Sequence, residues 1–198
     1  ESGRPGLDRL EETGFLDVAK PFAEAHFLTG FGHRDKRFHF AVDWANLPFP
    51  APAKFGPVAE MPALPDHWAV IEEPTAAHPF RLVTAPARNF LNSSFTETPT
   101  SQAREGAPSL LIHPEDAGSL DIAEGDHVAV ENPRGRVELV ARLFDGLRRG
   151  VVVSEQIQPA GAHRGGRGIN TLTGADPVAP VGGAAFHDNK VRVVRLDR

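Results

Sequence analysis

A chain of 198 residues with 40% hydrophobic and 24% charged residues suits a globular protein with one sizeable domain and an extension. A formal net charge of -5 gives no broad basic surface, so nucleic acid is not an expected partner. No apolar run approaches the roughly 18 residues of a membrane helix, so no membrane insertion is expected. Cysteine is absent, which removes disulfides, thiolate zinc sites, a cysteine nucleophile and cysteine-ligated iron–sulfur clusters from this chain. The polar start Glu1-Ser-Gly-Arg-Pro-Gly6 has no signal-peptide apolar region, and Met61 is the only methionine. The expectation is a piece of a longer protein, cytoplasmic, with a periplasmic parent left open.

Taken in chain order, residues 1–78 read as an arm. Leu7, Leu10 and Phe15 set among acids predict a short helix within Leu7–Leu16. The alternation in Arg37-Phe-His-Phe-Ala-Val42 predicts a strand. Pro48, Pro50, Pro52, Pro57, Pro62 and Pro65 predict an extended segment. Trp44, Phe49, Phe55 and Trp68 interleave with these prolines and point to docking on an apolar surface, the alternative being a linker without fixed structure.

From residue 79 the pattern changes. Strands are predicted at Phe80–Thr84, Ala107–Ile112, His127–Glu131, Arg136–Leu143, Gly150–Glu155 and Lys190–Arg195. Pro114–Leu120 predicts a short helix, with Pro114 at its first position and acids in its first turn. Asn132-Pro-Arg-Gly135 is a hairpin signal, since Pro sets the first turn torsion and Gly accepts positive φ. Short strands, small helices and a returning final strand predict a mainly β fold and a closed barrel over 79–198. The residues recognise no nucleophile–base pair, and His26, His33 and His39 make no obvious metal site; neither catalytic nor metal-ligating residues are assigned.

Several segments, in order and spacing, resemble a known family. They are Phe80-Arg-Leu-Val-Thr84-Ala-Pro-Ala-Arg88-Asn-Phe-Leu-Asn92-Ser-Ser94-Phe, Leu111-Ile-His113-Pro-Glu-Asp116-Ala, Gly125–Gly135, Gly168-Ile-Asn170-Thr-Leu-Thr173 and Phe186-His-Asp188-Asn-Lys190-Val. Together they are similar to the C-terminal molybdopterin dinucleotide-binding domain of the molybdopterin oxidoreductases, the superfamily of dimethyl sulfoxide reductase and formate dehydrogenase. The likeness is good over 80–198 and looser over Gly3–Gly6, Phe15-Leu16 and Arg37–Phe40. It implies a double-psi β-barrel preceded by an extended Pro-rich arm. It also implies binding of part of bis(molybdopterin guanine dinucleotide), with molybdenum or tungsten in the parent enzyme. The metal ligand and any iron–sulfur cluster would lie in upstream domains of the same parent, and an electron-transfer subunit is a possible partner. The chain alone would not be an enzyme; the parent would be a molybdopterin-dependent oxidoreductase.

The resemblance selects three candidate loops. Thr84–Ser94 offers small side chains for close backbone approach, hydroxyls and carboxamide from Thr84, Asn92, Ser93 and Ser94, and a charged fork from Arg88. Gly161–Asn170 is glycine-rich and basic without being a Walker loop or a Rossmann fingerprint. In the resemblance Asn170 points its carboxamide at the cofactor; on residue type alone it is a turn-former. His187-Asp188-Asn189-Lys190 is the third, with Asn189 and Lys190 as its cofactor contacts; otherwise it is a solvated start of the last strand. His113 is read as a helix cap. A rival reading is a double-psi barrel that serves as a binding or adaptor module without cofactor.

Overall fold

The computed structural model describes residues 6–44, 61–64, 66, 71–155, 157–178 and 183–196. Most of the Pro-rich stretch, with Phe49, Phe55 and Trp68, lies outside the described residues. The chain divides into two compact units: Glu1–Asp43 with Ala63–Pro65, and Trp44–Pro62 with Asp66–Arg198.

The second unit is built on strands β1 (Phe80–Thr84), β2 (Ser109–Ile112), β3 (His127–Asn132), β4 (Gly135–Leu143) and β5 (Val151–Ser154), with a last long strand, Asn189–Arg195. Between the last two lies a two-stranded ribbon, β6 (Pro177–Val178) with β7 (Gly183–Ala184), so Asn189–Arg195 is β8. The closed barrel runs β1-β5-β2-β4-β3-β8. Two of its pairs are parallel, β1 with β5 and β2 with β4. Each parallel pair joins strands that are not consecutive, so the connections interleave. The result is the double-psi β-barrel, mainly β with short helices.

Side chains on a strand alternate between faces, and the barrel's sequence follows that rule. Phe80 and Leu82, Leu110 and Ile112, Val128 and Val130, Val137, Leu139 and Ala141, Val152, and Val191 and Val193 all enter one core. Helix α3 spans Pro99–Glu105 and helix α4 spans Pro114–Ser119. His113 caps α4, its Nδ1 accepting from the Glu115 N–H at 3.2 Å. Asp116, buried in α4, accepts from Gly150 N at 2.7 Å and Arg149 Nε at 3.0 Å. The helix is thereby fixed to the turn that starts β5. The β3–β4 hairpin pairs Asn132 with Gly135, as its turn signal predicts.

The first unit holds helices α1 (Leu7–Thr13) and α2 (Phe22–Ala25). None of its described residues is buried. The strand expected over Arg37–Val42 does not form. Its alternating aromatics make ring contacts instead: Phe38 meets Phe31 and Phe40 edge-on, at centroid separations of 5.3 and 4.9 Å. His39 stacks on His33 and pairs with Asp35. A strand needs a partner ladder, and this segment has none among the described residues.

Candidate cofactor-binding site

The first loop leaves the barrel at Thr84, which pairs with Ser154, and Ala85 N continues the ladder to Ser154 O at 3.0 Å. Ala87, Phe90 and Thr96 turn inward and are buried. Leu91 and Ser94 exchange both backbone hydrogen bonds around a tight turn in which Asn92 adopts φ 52°. Asn tolerates that left-handed conformation better than most residues. The Asn89 N–H and carboxamide both donate to Glu105 at the end of α3, and Gln102 Nε2 donates to Thr96 O at 2.8 Å. With Ala87 and Phe90 buried and its backbone clamped, the loop presents Arg88, Leu91, Asn92, Ser93 and Ser94 outward.

The second element is a 3-10 turn over Ile169–Leu172. In a 3-10 helix, residues three apart share a face. Ile169 and Leu172 accordingly sit in the barrel core. Asn170 and Thr173 share the other face, with Thr173 Oγ1 donating to Asn170 O at 3.0 Å. The apolar pair thus anchors the turn so that Asn170 is exposed. The turn lies close against the β3–β4 hairpin: a Cβ on Gly135 would come within 2.5 Å of Thr171 Cγ2. Only glycine fits that approach without displacement.

The third element is Ala184–Asn189. Asn189, 2% exposed, is oriented to satisfy both neighbours. Its Nδ2 donates to Phe186 O at 3.1 Å and its Oδ1 accepts from Arg134 Nη2 at 3.2 Å. Arg134, in the hairpin turn, also donates from Nε to Leu172 O at 3.0 Å and from Nη2 to Glu72 Oε1 at 2.6 Å. Glu72 Oε2 accepts from Lys190 N at 3.0 Å. One guanidinium therefore ties the Asn170 turn, the Phe186 segment and the residues before the barrel together.

These three elements enclose a cleft of about 630 Å³, within the range of about 300–1,000 Å³ usual for small-molecule sites. Thr84, Asn92, Asn170 and Thr173 supply its hydroxyls and carboxamides; Pro86, Ile157 and Phe186 supply apolar surface, and His187 a ring nitrogen edge. Of the sequence-predicted residues, Thr84, Asn92 and Asn170 line the cleft. Arg88, Ser93 and Ser94 are exposed on the same loop outside its lining, Lys190 is half-buried, and the Asn189 side chain is directed into the protein. Arg134 and Glu72 were not singled out from sequence; Phe186 and His187 stood in the quoted motif without an assigned contact. For Arg134 the sequence offers only its place in the Asn132–Gly135 hairpin turn, and nothing marks Glu72.

The basic half of the glycine-rich loop lies elsewhere. Arg164 and Arg167 border a smaller hollow of about 160 Å³ with Arg136 and Glu138. Gly165 and Gly166 carry φ of 85° and 68°. His163 beside them is 4% exposed, and neither ring nitrogen has a hydrogen-bond partner of good geometry. Burial lowers its pKa, while the backbone of Gln158 and Glu138 pulls the other way and loses. Among the described residues, no three His, Cys, Asp or Glu side chains gather as a metal site would require.

A closed double-psi barrel whose connecting loops form a mainly apolar cleft edged by hydroxyls and carboxamides has the form of a small-molecule-binding domain. Acetylene hydratase from Pelobacter acetylenicus shares the fold, with a TM-score of 0.50 at 16% identity over 60% of this chain and 18% of that chain. The sequence profile of the "Molydopterin dinucleotide binding domain" matches residues 80–190, more than half of the chain. The chain belongs to this family of molybdopterin dinucleotide-binding domains. It is 33% identical to "Probable oxidoreductase YoaE" of Bacillus subtilis over 138 residues, 68% of this chain and 19% of that protein. It is 31% identical to dimethyl sulfoxide/trimethylamine N-oxide reductase of Rhodobacter capsulatus over 84 residues, 41% of this chain and 10% of that protein. The chain thus spans less than a fifth of the curated relatives it matches. Cofactor binding is the function this family membership defines; the cofactor-free adaptor is not favoured.

Proposed function

We propose that this chain forms one wall of the site for a molybdopterin guanine dinucleotide, within a molybdenum or tungsten oxidoreductase. The observation that carries this reading is the cleft itself. It draws Thr84, Asn92, Asn170 and His187 together from three segments, all inside the matched residues 80–190. The donor set suits the ligand: a molybdopterin dinucleotide presents amide-like edges on its pterin and its base, and carboxamides and hydroxyls complement both donors and acceptors. Asn170 is the residue we assign first, because its 3-10 turn is anchored from below by Ile169 and Leu172. Arg88, Ser93, Ser94 and Lys190, around the cleft, are assigned to the phosphates and sugar. Asn189 acts through Phe186 and Arg134 rather than by its own contact.

When bound, the cofactor supplies two-electron chemistry at its metal. This chain's part is to bind and orient it. The domain assigned to that task is residues 79–198. Upstream domains of the same polypeptide would supply the metal ligand and any iron–sulfur cluster, and an electron-transfer subunit would complete the path for electrons. No described helix is long and apolar enough to cross a membrane.

Titration of the chain with GDP, followed by amide chemical shifts, tests the reading. Saturable shifts at Thr84–Ser94 and Gly168–Thr173 that are lost in Asn170→Ala are expected. Shifts scattered over the surface, or unchanged by Asn170→Ala, would sink it.

A further inference from the structure

Phe186 and His187 are the least expected lining of the cleft. Phe186 is 49% exposed, yet its ring lies 4.3 Å from that of His187, tilted by 49°. An exposed aromatic at a cleft wall costs hydration unless something covers it. Ordinary surface aromatics sit on mobile segments, whereas this one is held. Its carbonyl accepts from buried Asn189, and Asn189 is held in turn by Arg134. Asp188, two residues after Phe186, takes φ 56° and its carboxylate lies 3.9 Å from Arg81 Nη1. An aromatic face fixed in advance of binding loses little freedom when a ligand covers it.

Asn170 and Asn92 line the same cleft and offer carboxamides, each with two donors and an acceptor. A flat apolar face together with amide groups is the pairing that recognises a planar, hydrogen-bonding heterocycle. We propose that Phe186, buttressed by His187, is the stacking platform for a fused 2-amino-4-oxopyrimidine ring, with the cleft carboxamides reading its amide edge. This rests on the cofactor-binding reading above. Guanine and pterin both carry that ring system, so the platform serves one end of a molybdopterin dinucleotide, and the probes must distinguish which.

The test uses the 198-residue chain with three probes: GDP, 6-hydroxymethylpterin and inorganic pyrophosphate. The platform predicts an upfield shift of the ring proton of one heterocycle, H8 of guanine or H7 of the pterin, on binding to the wild type. Phe186→Leu should abolish that shift and weaken the heterocycle about tenfold, the size expected for loss of one base–aromatic stack. Phe186→Trp should restore both, and pyrophosphate should bind the three proteins alike. The shifted probe names the end of the dinucleotide. If a heterocycle shifts the cleft amides equally in wild type and Phe186→Leu, with no ring-proton shift, the platform is overturned while the cofactor-wall reading stands. If no probe shifts the amides of Thr84–Ser94 or Asn170, both are overturned. Phe186 is half-exposed, so the leucine variant should fold; matching amide spectra away from the cleft would confirm it.

Discussion

The barrel and the N-terminal unit use apolar residues in opposite ways. In the barrel, inward-facing residues of all six strands enter one core. In the first unit, Phe15, Val18, Phe22, Phe27, Leu28, Phe38 and Phe40 are all exposed. Similar residue types therefore give a self-sufficient fold in one region and a set of surface ring contacts in the other. Hydrophobic content alone does not make a core; closure does, because only a closed sheet gives each strand's inner face something to pack against.

The sharpest way to break this comparison is a pair of truncations. Leu139→Ala in the barrel should cost about 3 kcal/mol, the transfer and cavity penalty of a fully buried leucine. Leu28→Ala, at a position 67% exposed, should change stability by no more than about 0.5 kcal/mol. Urea midpoints of both variants decide it, and equal losses would mean that the first unit has a core after all.

The next largest effect is expected at Arg134. Arg134→Ala removes donors to Leu172 O, Glu72 and Asn189 and should cost about 2 kcal/mol. Amide exchange should quicken together at Asn170 and His187, which the guanidinium links through Leu172 O and Asn189. Quickening at only one would show that the guanidinium does not couple them.

A smaller effect is read as a slope. The folded state keeps His163 neutral below its ordinary value of 6.5, while the unfolded chain takes up the proton near that value. Between the two, the unfolded state binds more protons, so stability falls as pH falls through the window and is flat again below it. His163→Phe should remove this part of the pH dependence between pH 7.5 and 5.5. A slope unchanged from wild type would show that His163 does not carry it.

The smallest effect belongs to the outer face of the barrel, where Arg136 pairs with Glu131 and Glu138, and Arg192 with Glu131. Arg136→Ala should cost about 0.5 kcal/mol or less, and less still at high salt. Denaturation at two ionic strengths measures this.

Strands β3 and β4 were legible because their alternation matches the two faces of a sheet, β1, β2 and β5 because they are short apolar runs, β8 as a returning last strand, and α4 because His113-Pro114 followed by acids spells a helix start. The same alternation misled over Arg37–Val42, where Phe38 and Phe40 meet other rings instead of a neighbouring strand. Helix α3 was not foreseen, although Pro99 stands at its first turn. The cleft was half-legible. Thr84, Asn92 and Asn170 stand in loops with a sequence signature, but the platform and its hub draw on Glu72, Arg134, Leu172 and Asn189. No local pattern encodes which distant loops a closed barrel will bring together.

Glu72 lies eight residues before Phe80, where the family match begins. Its carboxylate nonetheless holds Arg134 and the backbone of Lys190. The segment covered by the family profile is therefore shorter than the segment that sustains the geometry. Grafting this domain onto a relative with the junction at Phe80 would leave an arginine and a strand amide without their acceptor. A junction upstream of Glu72 would carry the acceptor along, so splice position becomes a variable in how well a chimaera holds its ligand.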